Sequence, residues 1–131
     1  MRGAAETLKG RLKGIDVLIN NAGAAFIKRG VTEDGVEQTF ALNHLGYFLM
    51  TALLLDLLKT APSARVVNVA SGAHFGATLD LGDLQNAKSY SGWRAYQQSK
   101  LANVYFTYEL ARRLQGTQVT ANCLHPGFVA S

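Results

Sequence analysis

The stretch Ser91-Gly-Trp-Arg-Ala-Tyr-Gln-Gln-Ser-Lys-Leu-Ala-Asn103 opens a segment whose apolar pattern predicts a long helix. Tyr96 and Lys100 stand four residues apart in it, and side chains at that spacing lie on one helical face. A phenol has an ordinary pKa of about 10, and an ammonium group one turn away favours its phenolate form. Such a pair can exchange protons with an alcohol or a carbonyl group near neutral pH. Tyr/Lys pairs are also common on exposed helix faces, so the rest of the sequence has to decide between these two interpretations.

The composition is typical of a soluble globular chain. The 131 residues are 48% hydrophobic and 17% charged, which is enough to bury a core within one domain. The net charge of +4 is spread along the chain, and the densest basic spot is Arg112-Arg113 at a predicted helix end, where it complements the helix dipole. No positive stripe or aromatic ladder accompanies it, so we do not expect nucleic-acid binding.

The sequence lacks the signs of a disulfide-bonded, metal-binding, secreted or membrane-spanning protein. The single cysteine, Cys123, excludes an internal disulfide and is interpreted as a small buried hydrophobe, and no His/Cys spacing suggests a metal site. The first ten residues lack the apolar core of a signal peptide. The most apolar window, Leu42–Leu58, contains Asn43, His44 and Asp56, which are costly in a bilayer. We therefore expect a cytoplasmic protein without a membrane span.

The remaining pattern predicts helices and strands in alternation. In chain order these are a helix over 4–13, a strand over Ile15–Ile19, a helix from an N-cap at Thr32 to Lys59, a strand over Arg65–Ala70, a long connection over 73–92, a helix over Arg94–Gln115 and a strand over Gln118–Leu124. This order implies right-handed βαβ crossovers and a parallel sheet with helices on its faces. A strand as apolar as the first is expected to be covered on both faces.

Both long helices carry apolar residues on two ridges. The ridges are Val36, Phe40, Tyr47 and Leu54 with Leu45, Phe48, Ala52 and Leu55 in the first helix, and Ala102, Phe106, Leu110 and Leu114 with Leu101, Tyr105 and Tyr108 in the second. We expect each helix to be buried on two sides. An outer side packed against a second subunit would make a homodimer.

Candidate functional residues follow all three predicted strands. Asn20–Gly23, Ser71 and Pro126-Gly127 stand at the strand ends, and parallel sheets bind ligands beyond the carboxyl ends of their strands. The three signals therefore predict a site at one edge of the sheet.

The histidines and the aromatic residues of the long connection have simpler interpretations. We expect His44, His74 and His125 to be hydrogen-bonded or exposed. We expect Tyr90 and Trp93 to pack the connection over 73–92, with shaping of a substrate pocket as the alternative.

Five motifs occur in a fixed order along nearly the whole chain. They are Asn20-Asn-Ala-Gly23, Leu42-Asn-His-Leu-Gly46, Val66-Val-Asn-Val-Ala-Ser-Gly-Ala-His74, Tyr96-Gln-Gln-Ser-Lys100 and His125-Pro-Gly-Phe-Val129. In this order they resemble the short-chain dehydrogenase/reductase family, nearest to its retinol-dehydrogenase-like branch. The resemblance implies that residues 1–131 form a single partial NAD(P)-binding domain, a Rossmann-like doubly wound parallel sheet of about three strands and two long helices.

The resemblance also implies a reaction, the interconversion of an alcohol and its carbonyl compound with NAD or NADP. Tyr96 would be the general acid/base, and Lys100 would favour its phenolate and hydrogen-bond the nicotinamide ribose. Ser71 would hold the substrate oxygen, and Asn43 would maintain a water that links Lys100 to a proton relay. The substrate would be a small molecule, apolar or retinol-like.

The cofactor contacts implied by the resemblance are Asn20, Ala22, Gly23, Tyr96, Lys100, Pro126, Gly127 and Ser131. The first three would face the adenosine side, Pro126 and Gly127 would line the nicotinamide, and Ser131 would meet its carboxamide. Neither NAD nor NADP is favoured by these residues.

The family's first strand and its Gly-rich phosphate-binding turn do not precede Ile15, and Gly10-Arg-Leu-Lys-Gly14 has no strand before it to serve as a substitute. We therefore expect the sequence to be the middle of a longer enzyme, with the strand over Ile15–Ile19 as an exposed apolar edge. The alternative hypothesis is a truncated, catalytically inactive product that acts at most as a dimerisation piece.

Overall fold

The computed structural model describes residues 1–127. The elements in chain order are α1 (Arg2–Arg11), β1 (Val17–Asn20), α2 (Gln38–Thr60), β2 (Ala64–Val69), a short 3-10 turn (Gly72–His74), α3 (Gly92–Arg113) and β3 (Val119–Leu124). The predicted order of helices and strands is confirmed, with most boundaries within two residues of those expected.

The three strands form one parallel sheet in the order β1-β2-β3. Asn20 pairs with Asn68, and Asn68 pairs with Cys123, so the carboxyl ends of all three strands lie at one edge of the sheet. The predicted class, α/β with a partial Rossmann-like parallel sheet, is confirmed. β1 is an edge strand, as expected.

The helices bury one face of this sheet. The main cluster of buried residues joins the sheet to the two long helices and contains Leu58, Ala61, Ala64, Val66, Leu110, Leu114, Val119 and Ala121. Full burial of one of its leucine or valine side chains contributes about 1.5–3 kcal/mol. On the opposite face Val17 and Ile19 are 52% and 61% exposed, because strand side chains alternate and α1, α2 and α3 all pack on the other side. Within residues 1–127, the expectation that the first strand is covered on both faces is therefore wrong.

Helix α2 begins later than its sequence predicts. Thr32 does not cap a helix, because its Oγ1 accepts the N–H of Val36 in a tight turn where Gly35 has φ 76°. The cap is Glu37, a fully buried carboxylate that accepts two backbone N–H groups of the first helical turn at 2.8 Å each. An acidic side chain satisfies these donors as well as a hydroxyl group does.

The outer ridge of each long helix is largely open to solvent. Phe48 on α2 is 51% exposed, and Tyr105 and Tyr108 on α3 are 55% and 67% exposed. Burial on two sides is therefore not observed in this part of the chain. By length and composition alone α2 could cross a membrane, a test that the mostly buried core helices of soluble proteins also pass. In α2, 28% of the apolar window is buried.

Candidate active site

Tyr96 and Lys100 lie in the first turns of α3. The helix begins at an N-cap, Ser91, whose hydroxyl accepts an N–H of the first turn. Lys100 is only 3% exposed, and its ammonium nitrogen donates to the Val69 carbonyl at 3.0 Å and lies 5.7 Å from the ring centroid of the half-buried Tyr96. The two side chains therefore share one face of the helix, as their spacing predicts.

A second phenol, Tyr47 of α2, flanks the same ammonium group. Its ring centroid is also 5.7 Å from the Lys100 nitrogen, and its hydroxyl donates to the Val69 carbonyl at 3.4 Å. Burial and the neighbouring Tyr96 raise the pKa of Tyr47 to about 12, so this residue stays a neutral phenol. Tyr47 is buried and Tyr96 is half-buried, so of these two phenols Tyr96 is the more accessible to a ligand.

Lys100 is a buried cation held by neutral groups. Burial lowers the pKa of its ammonium group below the usual 10.5. The ion pairs within residues 1–127 all involve Glu109, so none reaches Lys100. A cation in this environment favours any anion or polar acceptor that arrives beside it.

Asn43 lies in a widened π turn of α2, Ala41–Leu45, in which the N–H of Gly46 reaches the carbonyl five residues back. The side chain is fully buried, and its amide pairs in both directions with the backbone of Ala24 at 2.9 Å. It also donates to the hydroxyl of Ser99 at 2.9 Å, and Ser99 donates to the Tyr96 carbonyl at 2.7 Å. Single π turns of this kind often occur at functional sites.

The Gly23 backbone lies close to both Asn43 and Lys100. A Cβ atom at this position would lie 3.1 Å from Asn43 Oδ1 and 3.2 Å from the Lys100 nitrogen, which is closer than most real contacts. The motif after β1 can therefore meet the helix residues only because a glycine is present there. The structure thus brings Gly23, Asn43, Tyr96 and Lys100 into one cluster.

Ser71 follows β2 at the same edge of the sheet. It is half-buried and caps the turn Gly72–His74, where its Oγ accepts the N–H of Ala73 at 3.2 Å. The Gln97 side chain of α3 donates to the Ala73 carbonyl at 3.3 Å, which ties this turn to the residue next to Tyr96.

The cofactor residues expected after β1 border a pocket of about 320 Å³. Asn20 and Ala22 line it together with Leu42 and Tyr47 of α2. The NH₂ group of Asn20 is engaged in the interior, where it donates to Thr51 at 3.0 Å and to Asn68 at 2.7 Å.

The expected nicotinamide contacts come at the end of the described chain. Pro126 and Gly127 follow β3 and are exposed, and Gly127 has φ 78°, a conformation that favours glycine. Ser131 lies outside the described residues. Within residues 1–127 no group of three His, Cys, Asp or Glu side chains is arranged to hold a metal ion.

The histidines have the environments expected from the sequence. His44 Nδ1 lies 3.0 Å from Asn103 Oδ1, the His74 ring bonds the Ser71 carbonyl, and His125 is exposed. Burial lowers the pKa of His44 below its usual 6.5, although the Asn103 hydrogen bond opposes this shift.

Of the two aromatic residues expected to pack the long connection, Tyr90 does so and Trp93 does not. Tyr90 packs the connection as expected, and its hydroxyl donates to the Phe26 carbonyl at 2.7 Å. Trp93 does not pack the connection: it is 62% exposed and stacks on the Tyr96 ring with centroids 6.0 Å apart. Cys123 is half-buried rather than buried.

Two polar residues of the site, Ser99 and Asn103, were not singled out from the sequence. Ser99 is fully buried beside Asn43, and Asn103 is fully buried beside His44. A signal was present, because they stand three and seven residues after Tyr96 and so share its helical face.

Comparison with known proteins identifies the family of the chain. The family model of the short chain dehydrogenases matches residues 1–131. Human retinol dehydrogenase 12 is 50% identical over the whole chain, and human polyprenol dehydrogenase is 51% identical over 88% of it. The chain spans about two-fifths of the length of these relatives, 42% of the first and 37% of the second.

Solved structures of two other proteins have a similar fold, and the chain covers about half of each. A crystal structure of an uncharacterized protein from Mycobacterium paratuberculosis covers the whole chain with a TM-score of 0.86 and 42% identity, and the chain covers 48% of that protein. A short-chain dehydrogenase from Streptomyces avermitilis covers 99% of the chain with a TM-score of 0.72 and 25% identity, and 44% of it is matched. From the sequence motifs, the fold and these matches together, the chain belongs to the short chain dehydrogenase family.

Proposed function

We propose that this chain carries the proton-transfer centre of an NAD(P)-dependent oxidoreductase that interconverts an alcohol and its carbonyl compound. The observation that carries the proposal is the Lys100 ammonium group, which is buried among neutral groups and lies beside both Tyr96 and Gly23. The names of the relatives, retinol dehydrogenase and polyprenol dehydrogenase, support the reaction class. We further propose that residues 1–131 make up one partial cofactor-binding domain.

Each polar side chain of the cluster has a role in this proposal, and so has Ser71 at the same edge of the sheet. The Tyr96 phenol gives a proton to the substrate oxygen in reduction, and the Tyr96 phenolate, which the Lys100 cation favours, accepts the proton of the alcohol in oxidation. The Ser71 hydroxyl holds the same oxygen and stabilises the charge that develops on it. Asn43 keeps its turn in place and maintains a water that passes the proton onward from Lys100.

The residues at this edge fit a nicotinamide dinucleotide. Asn20 and Ala22 border the pocket of about 320 Å³ and would face the adenosine side together with Gly23. The Lys100 ammonium group has three N–H donors and gives one to the Val69 carbonyl, so it can also hold a ribose hydroxyl. Pro126, Gly127 and Ser131 would line the nicotinamide side. When bound, the cofactor supplies or accepts the hydride.

The substitution Tyr96→Phe tests the mechanism in the protein as it is made in the cell. It should lower turnover by about 100-fold or more, because general acid/base catalysis contributes roughly 10²–10⁴-fold. Cofactor affinity should stay within about twofold, since the ring and Lys100 remain. Tyr108→Phe removes the hydroxyl of a tyrosine on the same helix that is 67% exposed, and it should leave turnover unchanged. Turnover that survives Tyr96→Phe would contradict the assignment.

The alternative hypothesis is a truncated, catalytically inactive product, and a measurement of cofactor binding distinguishes it from a competent site. Isothermal calorimetry with NADH and NADPH on the 131-residue chain should be compared with a form extended upstream. Binding by the 131-residue chain supports a competent site. Binding by the extended form alone supports the inactive fragment.

An apolar alcohol is the substrate class that we favour. Trp93 and Phe75 are 62% and 67% exposed, and each lies close to a proposed catalytic residue: Trp93 stacks on Tyr96, and Phe75 follows the turn capped by Ser71. Turnover of a long-chain or retinol-like alcohol should exceed that of a short polar alcohol, and Trp93→Ser should reduce this preference through KM.

A homodimer through the two long helices is proposed as well. Phe48 of α2 packs against Phe106 of α3 with tilted rings whose centroids are 5.5 Å apart, and Tyr105 and Tyr108 continue the exposed apolar ridge. Light scattering should give twice the chain mass, and Phe48→Glu should return the mass of a single chain.

A further inference from the structure

We propose that Asn103 is a positioning residue that holds the π turn Ala41–Leu45, and with it Asn43, in the geometry required for proton transfer. The inference rests on the proposed function and adds a residue that does not itself touch the substrate or the cofactor. It is carried by the hydrogen bonds that Asn103 makes across the interface of α3 and α2.

The Asn103 side chain bridges two neighbouring residues of the π turn. Its Nδ2 donates to the Asn43 backbone carbonyl at 2.9 Å, and its Oδ1 lies 3.0 Å from His44 Nδ1. Asn103 is fully buried, so water does not compete for either group. One amide on α3 therefore fixes both the position of the Asn43 backbone and the orientation of the His44 ring.

The orientation of this amide follows from its partners. The Asn43 carbonyl can only accept, so the NH₂ group of Asn103 has to face it. The amide oxygen that remains can only accept, so His44 Nδ1 has to carry its hydrogen. Asn103 thereby selects the Nδ1–H tautomer of His44, and this tautomer is a property that can be measured.

The bridge belongs to a longer buried chain of hydrogen bonds. In order, the chain runs from Thr51 to Asn20 (3.0 Å), Asn68 (2.7 Å), Thr107 (2.8 Å), the Asn103 carbonyl (2.7 Å) and, through the Asn103 side chain, the Asn43 carbonyl (2.9 Å). Within residues 1–127 every buried side-chain nitrogen and oxygen has a partner. A lost link therefore leaves a buried group unsatisfied, and the neighbouring groups cannot replace it without moving.

A shift of the π turn reaches the catalytic side chains directly. The Asn43 amide holds the backbone of Ala24, next to Gly23, and the hydroxyl of Ser99, which holds the Tyr96 carbonyl. A wide turn that closed to an ordinary α turn would move the Asn43 amide away from both. Displacements of about 1 Å at such sites can cost on the order of 100-fold in rate.

The test compares Asn103→Leu with Thr107→Val in the protein as it is made in the cell. Leucine has the branched shape of asparagine but makes no hydrogen bond to the π turn. Thr107→Val removes a link of the same buried chain and leaves the two bonds to the π turn in place. Both variants should lose stability. Only Asn103→Leu should lower kcat, by about tenfold or more with KM within about threefold, and shift the pH profile of kcat.

Two results would overturn the positioning role. The first is a kcat and pH profile for Asn103→Leu that equal those of Thr107→Val. The second is a wild-type His44 ring with its hydrogen on Nε2, read from its ¹⁵N chemical shifts by NMR, and this readout remains available if the leucine variant fails to fold.

The parallel Tyr96→Phe measurement separates this inference from the proposed function. Turnover that survives Tyr96→Phe refutes the proposed function and removes the reason for a positioning role. An inactive Tyr96→Phe variant together with an Asn103→Leu variant as active as Thr107→Val refutes the positioning role alone.

Discussion

Replacing Gly23 by alanine should destabilise the chain through two contacts only. The Gly23 backbone is outside the left-handed region, so alanine can adopt its conformation. The new Cβ would lie 3.1 Å from Asn43 Oδ1 and 3.2 Å from the Lys100 nitrogen, and both neighbours would have to move by a few tenths of an ångström. Asn43 cannot move freely, because its amide is paired with the backbone of Ala24 at 2.9 Å in both directions.

The size of the effect follows from two opposing contributions. Overpacking of a well-packed site costs about 1–3 kcal/mol. Alanine has less conformational freedom than glycine in the unfolded chain, which raises the free energy of unfolding by roughly 0.4–1 kcal/mol. We therefore expect Gly23→Ala to lower the free energy of unfolding by about 0.5–2 kcal/mol.

Urea unfolding followed by far-UV circular dichroism measures this change, with Gly10→Ala as the matched control. A Cβ at Gly10 meets nothing within 4 Å, and the residue lies in α1, where alanine favours the helix by about 0.5–1 kcal/mol. Gly10→Ala should therefore be neutral or stabilising. If Gly23→Ala were as stable as Gly10→Ala, the close approach of the loop after β1 to α2 and α3 at Gly23 would be refuted.

Two further predictions concern buried ionisable groups. Glu37→Ala should lower the free energy of unfolding by about 1–3 kcal/mol in urea titrations, because the backbone N–H groups of Thr39 and Phe40, each at 2.8 Å, lose their acceptor. An equal loss in Glu33→Ala, at an exposed position, would contradict this reasoning. Burial lowers the pKa of His44 in the folded chain below its ordinary 6.5, so the unfolded chain binds more protons and stability should fall as the pH drops below about 6.5. Urea midpoints between pH 7.5 and 5.5 measure this fall, and the same fall in His44→Gln would show that another group causes it.

The pairing of Tyr96 with Lys100 was predictable from the sequence, because it depends on helical periodicity alone. The strands were predictable for a local reason too, since apolar runs of strand length that are bounded by turn residues favour strands over helices. The start of α2 was not predictable from the sequence, because Thr32 is a residue type that commonly caps helices. Only the folded environment shows that Glu37 is the cap.

The sequence by itself determined the order of the elements and the edge of the sheet at which the motifs gather. The tertiary structure alone decided which groups meet there: Asn43 pairs with Ala24 and Ser99, which are 19 and 56 residues away, and Asn103 reaches Asn43 across 60 residues. Periodicity tells which face of a helix a side chain occupies. The partner on the facing element depends on how two helices and a sheet pack, and there buried donors and acceptors are satisfied only in one arrangement.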